Sequence, residues 1–166
     1  MIIGHLPAGY ILGRWIADRG FVVTPSSRLV VVVSMLGAIA PDIDMFYFYF
    51  VDQRQTHHHT YLSHIPLFWV SLLLVGVAWR WFNRSGATRS LLAVFASGGL
   101  LHLLLDTIVG DIWWLAPFVD RPFAAFEVTV RYEPWWWNFV LHWTFLFEIA
   151  LWLWAYRLWR VREKMA

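Results

Sequence analysis

No cysteine occurs among the 166 residues. Disulfides, thiolate metal sites and cysteine nucleophiles are thereby excluded, and any metal here must be held by nitrogen and oxygen. Charge is scarce: Asp, Glu, Lys and Arg make up 14% of the chain, against about 25% in a soluble domain. The net charge is only +2. With no basic stripe and no recognised binding motif, nucleic acid is not an expected partner. Also missing are a Gly-rich phosphate loop, a serine-nucleophile elbow and a His-Glu-x-x-His helix. Nor is the chain poor enough in apolar residues to be disordered.

What remains is an oily, aromatic chain, 60% apolar with 13 Trp. One domain of this length has too little interior to hide so many large apolar groups from water. The long apolar runs read as membrane segments. Phe139–Trp159 would span roughly 32 Å as a helix, enough for a bilayer core of about 30 Å. Ile65–Phe82 is a second, with Pro66 where a helix tolerates it. Ser90–Val109 is a third, and Leu29–Val51 a fourth, interrupted at Pro41-Asp42-Ile43-Asp44. Met1–Ala17 is a fifth; it lacks the basic n-region and the small-residue cleavage site of a signal peptide. The expected fold is all-α: a polytopic membrane helical bundle of about five membrane segments, some broken or re-entrant, forming one domain over residues 1–166.

The basic residues orient these segments. Arg14, Arg19, Arg28, Arg80, Arg84, Arg89, Arg157, Arg160, Arg162 and Lys164 fall at one end, ten of the 13. Only Arg54, Arg121 and Arg131 fall at the other, so the positive-inside rule puts the first group in the cytoplasm. The outer loops then run from Asp52 to His64 and from Gly110 to Asn138. Trp113, Trp114, Trp135, Trp136 and Trp137 in the second loop suit headgroup-level anchors.

All seven His fall on the outer side in this topology, although histidine played no part in the orientation. Ionisable groups at membrane depth are costly unless they pair, line a wet cavity or bind ions. His102 and Asp106 are spaced i, i+4 and so share a helix face. Asp42 and Asp44, an i, i+2 pair after a proline, belong to extended or irregular backbone. Two close carboxylates repel unless a cation lies between them. His57, His58, His59 and His64 add imidazoles just before a helix. Three adjacent histidines cannot all reach one ion, so one or two of them are expected to matter. The set predicts a nitrogen–oxygen metal site suited to Zn²⁺, with Mn²⁺ or Fe as alternatives and more than one ion in view.

These motifs have a recognisable order. His5 with Ala8-Gly9, then Gly37-x-x-x-Pro41-Asp42-Ile43-Asp44, His59-x-x-x-Ser63-His64, and His102-x-x-x-Asp106-Thr107-x-x-Gly110 leading to Pro117-Phe118 resemble the predicted membrane-bound metal-dependent hydrolase family. Its members are small multi-pass proteins of prokaryotic cytoplasmic membranes, some described as hydrolases associated with a DNA-damage repressor. The likeness covers about residues 1 to 120. It departs at Thr60, where the family usually has Arg, and at Ser63, where it has Thr. The ligand order is also similar to that of zinc phospholipase C and its nuclease relatives. The resemblance implies a shared metal cluster of Asp42 or Asp44, His59 or His64, His102 and Asp106, with His5 as an early ligand. His5, Asp42, Asp44, His59, His64, His102 and Asp106 are thus the candidate metal ligands, and His142 and Glu148 are candidates for a further cluster.

The resulting expectation is a membrane-embedded metal-dependent hydrolase whose site faces outward. Its substrate would be a phospholipid or another lipid-linked phosphoester, with Asp44 or His58 moving the proton. The alternatives are a metal transporter or a non-enzymatic metal-binding protein. A transporter would carry polar residues on to the cytoplasmic side, and the inner halves of Ile65–Phe82 and Phe139–Trp159 are nearly all apolar.

Overall fold

The computed structural model describes residues 1–20, 26–82 and 87–163; Arg84 and Lys164, two of the basic residues that orient the chain, lie outside the described residues. The described residues are helical, with no strand and a single antiparallel bridge between Ile112 and Phe123. In chain order they form α1 (His5–Asp18), α2 (Ser27–Ile39), α3 (Asp44–Phe50), α4 (Pro66–Phe82), α5 (Ala87–Asp106), α6 (Trp137–Val140) and α7 (Phe145–Glu163). Short 3-10 turns lie at Pro41–Ile43, His58–Thr60 and Leu62–His64.

Local chemistry sets these boundaries. Ser26 caps α2 by accepting from the Leu29 N–H at 3.4 Å. Pro41 has no N–H to continue the α-helical ladder, so the chain tightens into a 3-10 turn and leaves at an angle of 51°. The extended or irregular backbone expected at Asp42 and Asp44 is this tight turn leading into α3, which sends the two carboxylates in different directions. The last expected segment, Phe139–Trp159, is not one helix: α6 ends at Val140 and α7 starts at Phe145. Asn138 ties α6 to the preceding loop, donating to the Tyr132 and Trp135 carbonyls and accepting from the Arg131 and Tyr132 amides. The turn from Leu141 to Thr144 frees α7 to pack on α1 instead.

In the bundle α1 lies on α2, α2 on α5 and α5 on α4, while α7 packs on α1. The α2–α5 crossing is close because glycine leaves room. A Cβ on Gly37 would sit 2.1 Å from the Phe95 carbonyl oxygen, and one on Gly98 would sit 2.5 Å from that of Ser34. Small buried clusters fill the interior, among them Trp69 with Ala96, Leu103 and Ile112, and Ala8 with Leu105 and Leu151.

Outside, α4 and α7 expose Leu74, Val75, Leu153 and Trp154, an apolar exterior that a water-soluble bundle would bury. Among the described residues no single helix is long and apolar enough to cross a membrane alone; the bent pair Ser27–Ile39 with Pro41–Phe50 has the length and composition to do so. The N-termini of α1, α4 and α7 and the C-termini of α2 and α5 meet at one end. At the other end Asp18 of α1 pairs with Arg14 and with Arg162 of α7.

Candidate metal centre

Asp106 is the last residue of α5 and is 2% exposed. A carboxylate there sits at the negative end of its own helix dipole. Among the described residues no Lys or Arg side chain pairs with it. Its neighbours are imidazoles and the amino group of Met1. His102 Nε2 lies 2.9 Å from Oδ2, with His59 Nε2 at 3.7 Å and His64 Nε2 at 3.8 Å from the same oxygen. The other oxygen, Oδ1, faces His5 Nε2 at 3.0 Å.

Three of these rings are pinned from behind. His102 Nδ1 is 2.8 Å from the Ala38 carbonyl oxygen. His59 Nδ1 is 2.9 Å from that of Asp111, and His64 Nδ1 is 2.7 Å from Asp44 Oδ2. A carbonyl or carboxylate oxygen only accepts, so each Nδ1 carries the proton and donates it. In the neutral ring Nε2 then presents a lone pair. With the rings neutral, three lone pairs face the negative oxygen of Asp106, an arrangement that repels unless a proton or a metal cation lies between them. Consistently, the buried Nε2 atoms of His64 and His102, and that of His5, make no hydrogen bond of acceptable geometry.

Asp42 closes the group from the 3-10 turn. Its Oδ1 lies 3.6 Å from His102 Nε2 and 4.0 Å from His64 Nε2, and its Oδ2 lies 3.6 Å from His5 Nδ1. Asp42, His64, His102 and Asp106 offer ligand atoms all within 4.8 Å of one another, as do His58, His59 and His64, so the donor set fits a metal ion. His64 belongs to both groups, and its one free nitrogen can serve only one ion at a time. Burial pushes His58 down to about 4 and His59 to about 2. Both loop rings are therefore neutral near pH 7, the form that binds metal.

Above the group opens a cavity of about 740 Å³ that reaches Asp42, His57, His58, His59 and Asp106, with Phe126 and Trp135 among its apolar walls.

Residues 1–165 match the family described as YdjM inner membrane protein. The chain belongs to that family. Membership makes this YdjM-family chain a membrane protein; the family's description names neither a reaction nor a metal. No curated protein and no solved structure matches the chain.

Most of the residues picked from sequence converge in this YdjM-family fold. Asp42, His64, His102 and Asp106 surround one point, His59 adjoins it with Nε2 3.7 Å from Asp106 Oδ2, and His5 stacks on His102 with ring centroids 3.8 Å apart. Asp44 stands behind that point: its Oδ2 takes the His64 Nδ1 bond and a second, at 2.5 Å, from the Ser63 hydroxyl. His58 stands beside His59 at 4.1 Å between centroids and lines the cavity. His57 turns back on its own loop, where Nδ1 accepts from the His59 amide at 3.3 Å. Among the described residues His142 and Glu148 form no cluster. His142 bonds the Thr144 hydroxyl at 2.8 Å, while Glu148 takes main-chain amides of residues 2 to 4. Sequence reasoning missed the Ala38 and Asp111 carbonyls, which carry no residue-type signal. It also missed Ser63 as the partner of Asp44, although the Ser63-His64 dipeptide was in view.

Proposed function

We propose that this protein is a metal-dependent hydrolase that cleaves a phospholipid or other lipid-linked phosphoester at the outer surface of the inner membrane. The carrying observation is the set of three imidazoles, each locked at Nδ1 and turned with Nε2 toward the Asp106 carboxylate. Orienting partners behind ligand nitrogens are the usual support of a metal centre.

In this reading the chain crosses the membrane several times through α1, the bent α2–α3 pair, α4, α5 and α7. Arg14, Arg28, Arg157 and Arg162 are on the cytoplasmic side, and the histidines are outside, as the positive-inside rule asks. Asp42, His59, His64, His102 and Asp106 hold the metal, most simply zinc with nitrogen and oxygen donors. The two oxygens of Asp106 face different partners, as do those of Asp42, so these carboxylates would hold more than one ion, with His5 on the second side. Bound there, such ions supply an acidified water and positive charge for the phosphoryl oxygens.

The chain's own groups do the rest. Asp44 orients His64 through Nδ1 rather than meeting substrate. The His58 ring, which makes no hydrogen bond among the described residues and opens to the cavity, is the group placed to take the proton of the attacking water. Phe126 and Trp135 give the cavity apolar walls for the lipid portion next to its headgroup. Beneath Asp106, the buried Ala8, Leu105 and Leu151 close the bundle, which favours a site over an ion path.

The test is purification in detergent, element-resolved measurement of bound metal, and an assay of lipid phosphoester cleavage. Wild type should carry stoichiometric metal and cleave, and Asp106→Ala should do neither. A folded wild type without metal, or equal cleavage by both proteins, would reject the reading.

A further inference from the structure

α1 begins at His5 with Gly4 at its cap, and glycine has no side chain to take the helix's free N–H groups. The missing acceptor comes from the far end of the chain. Glu148 of α7, 3% exposed, places Oε2 2.5 Å from the Ile3 nitrogen, 2.8 Å from that of Gly4 and 3.0 Å from that of Ile2. Its other oxygen is 3.2 Å from the Ile2 nitrogen. One turn further along α7, the Trp152 indole donates to the Ile3 carbonyl at 2.9 Å. Two side chains of α7 therefore grip the main chain of residues 2 to 4 on both its donor and acceptor sides.

A local Ser, Asp or Asn at position 4 would cap the helix equally well. A buried carboxylate 144 residues away does something a local cap cannot. It fixes where the segment lies relative to α7, and His5 follows directly. From there the His5 ring reaches Asp106 Oδ1 at 3.0 Å and stacks on His102. The positive end of the α1 dipole stabilises the carboxylate in turn. Among the described residues no Lys or Arg pairs with it, so its buried charge depends on this grip.

We propose that Glu148 is a positioning residue of the metal centre: by holding the amides of Ile2, Ile3 and Gly4 it sets the place from which His5 enters the site. The proposal rests on the metal-centre reading above.

The absence of native cysteine allows a direct test in the full-length protein. A spin label at Ile3→Cys reports the mobility of the segment, and chelator competition reports zinc affinity. Glu148→Ala should mobilise the label and weaken zinc binding by about tenfold, the lower range for loss of an outer partner. In a His5→Ala background the same substitution should cost nothing more, because the two act through one path. Glu148→Gln, which keeps one acceptor oxygen, should fall between wild type and Glu148→Ala, and guards against a variant that does not fold. An immobile label in Glu148→Ala, or an equal loss of affinity with and without His5, would overturn the proposal and leave the metal reading intact. A label that loosens in a protein whose wild type binds no zinc would instead remove the metal-centre reading, with the hold of Glu148 on the segment still standing.

Discussion

Asp44 separates a ligand from a support. It is 2.7 Å from His64 Nδ1 and 2.5 Å from the Ser63 hydroxyl, both through Oδ2, and its side chain is 9% exposed. Asp44→Asn keeps the shape and one acceptor but removes the charge. Hydrogen bonds to a charged group are worth about 1.5–3 kcal/mol and neutral ones about 1. Alignment of His64 should therefore lose roughly 1–1.5 kcal/mol, or about tenfold in zinc affinity. Asp44→Ala also strands the Ser63 hydroxyl and should approach the hundredfold end of the range for outer partners. Asp106→Asn, which removes a ligand charge from the centre, should cost far more than either. Competition against a chromophoric zinc chelator in detergent at neutral pH measures all three. If Asp44→Asn loses zinc as completely as Asp106→Asn, Asp44 is a ligand and the reasoning fails; if neither Asp44 variant changes affinity, His64 does not need its partner and the reasoning fails again.

Two further outcomes follow from the same geometry. A Cβ at Gly110 would lie 2.7 Å from His59 Cε1, so Gly110→Ala should push the ring aside and weaken zinc binding several-fold in the same competition assay. Burial lowers His58 from 6.5 to about 4. Between those values the unfolded chain binds more protons at this position than the folded one, so metal-stripped protein should lose thermal stability as the pH falls from 6.5 toward 4 and show no such loss above 6.5; melting curves across that window check it, and a flat profile would count against a buried neutral loop.

The helical architecture was legible because apolar runs of this length admit few other arrangements. Most of the site was legible too, because polar residues in so oily a chain are conspicuous and His102 with Asp106 keeps helical spacing. The break before α7 was not, since Leu141-His142-Trp143-Thr144 has neither glycine nor proline to mark a turn, and no spacing announces the hydrogen bonds that hold the chain there. Asp44 was picked for its type and its neighbour Asp42, but Asp42 lies in the 3-10 turn and Asp44 opens α3, so Asp42 faces the cluster and Asp44 stands behind His64. Glu148 carried no spacing signal at all: its partners are amides, and any sequence supplies those.

Two of the three pinned histidines are held by main-chain oxygens, those of Ala38 and Asp111. No substitution at either position deletes its carbonyl, so a scan that replaces each residue in turn would pass over the groups that fix the tautomers of His102 and His59. The information is stored as a distance between backbones, at the glycine crossing of α2 and α5 for one ring and at the turn after α5 for the other. Damage to this centre from afar should therefore register as added bulk rather than lost chemistry: a methyl group at the helix crossing can disarm an imidazole that it never touches.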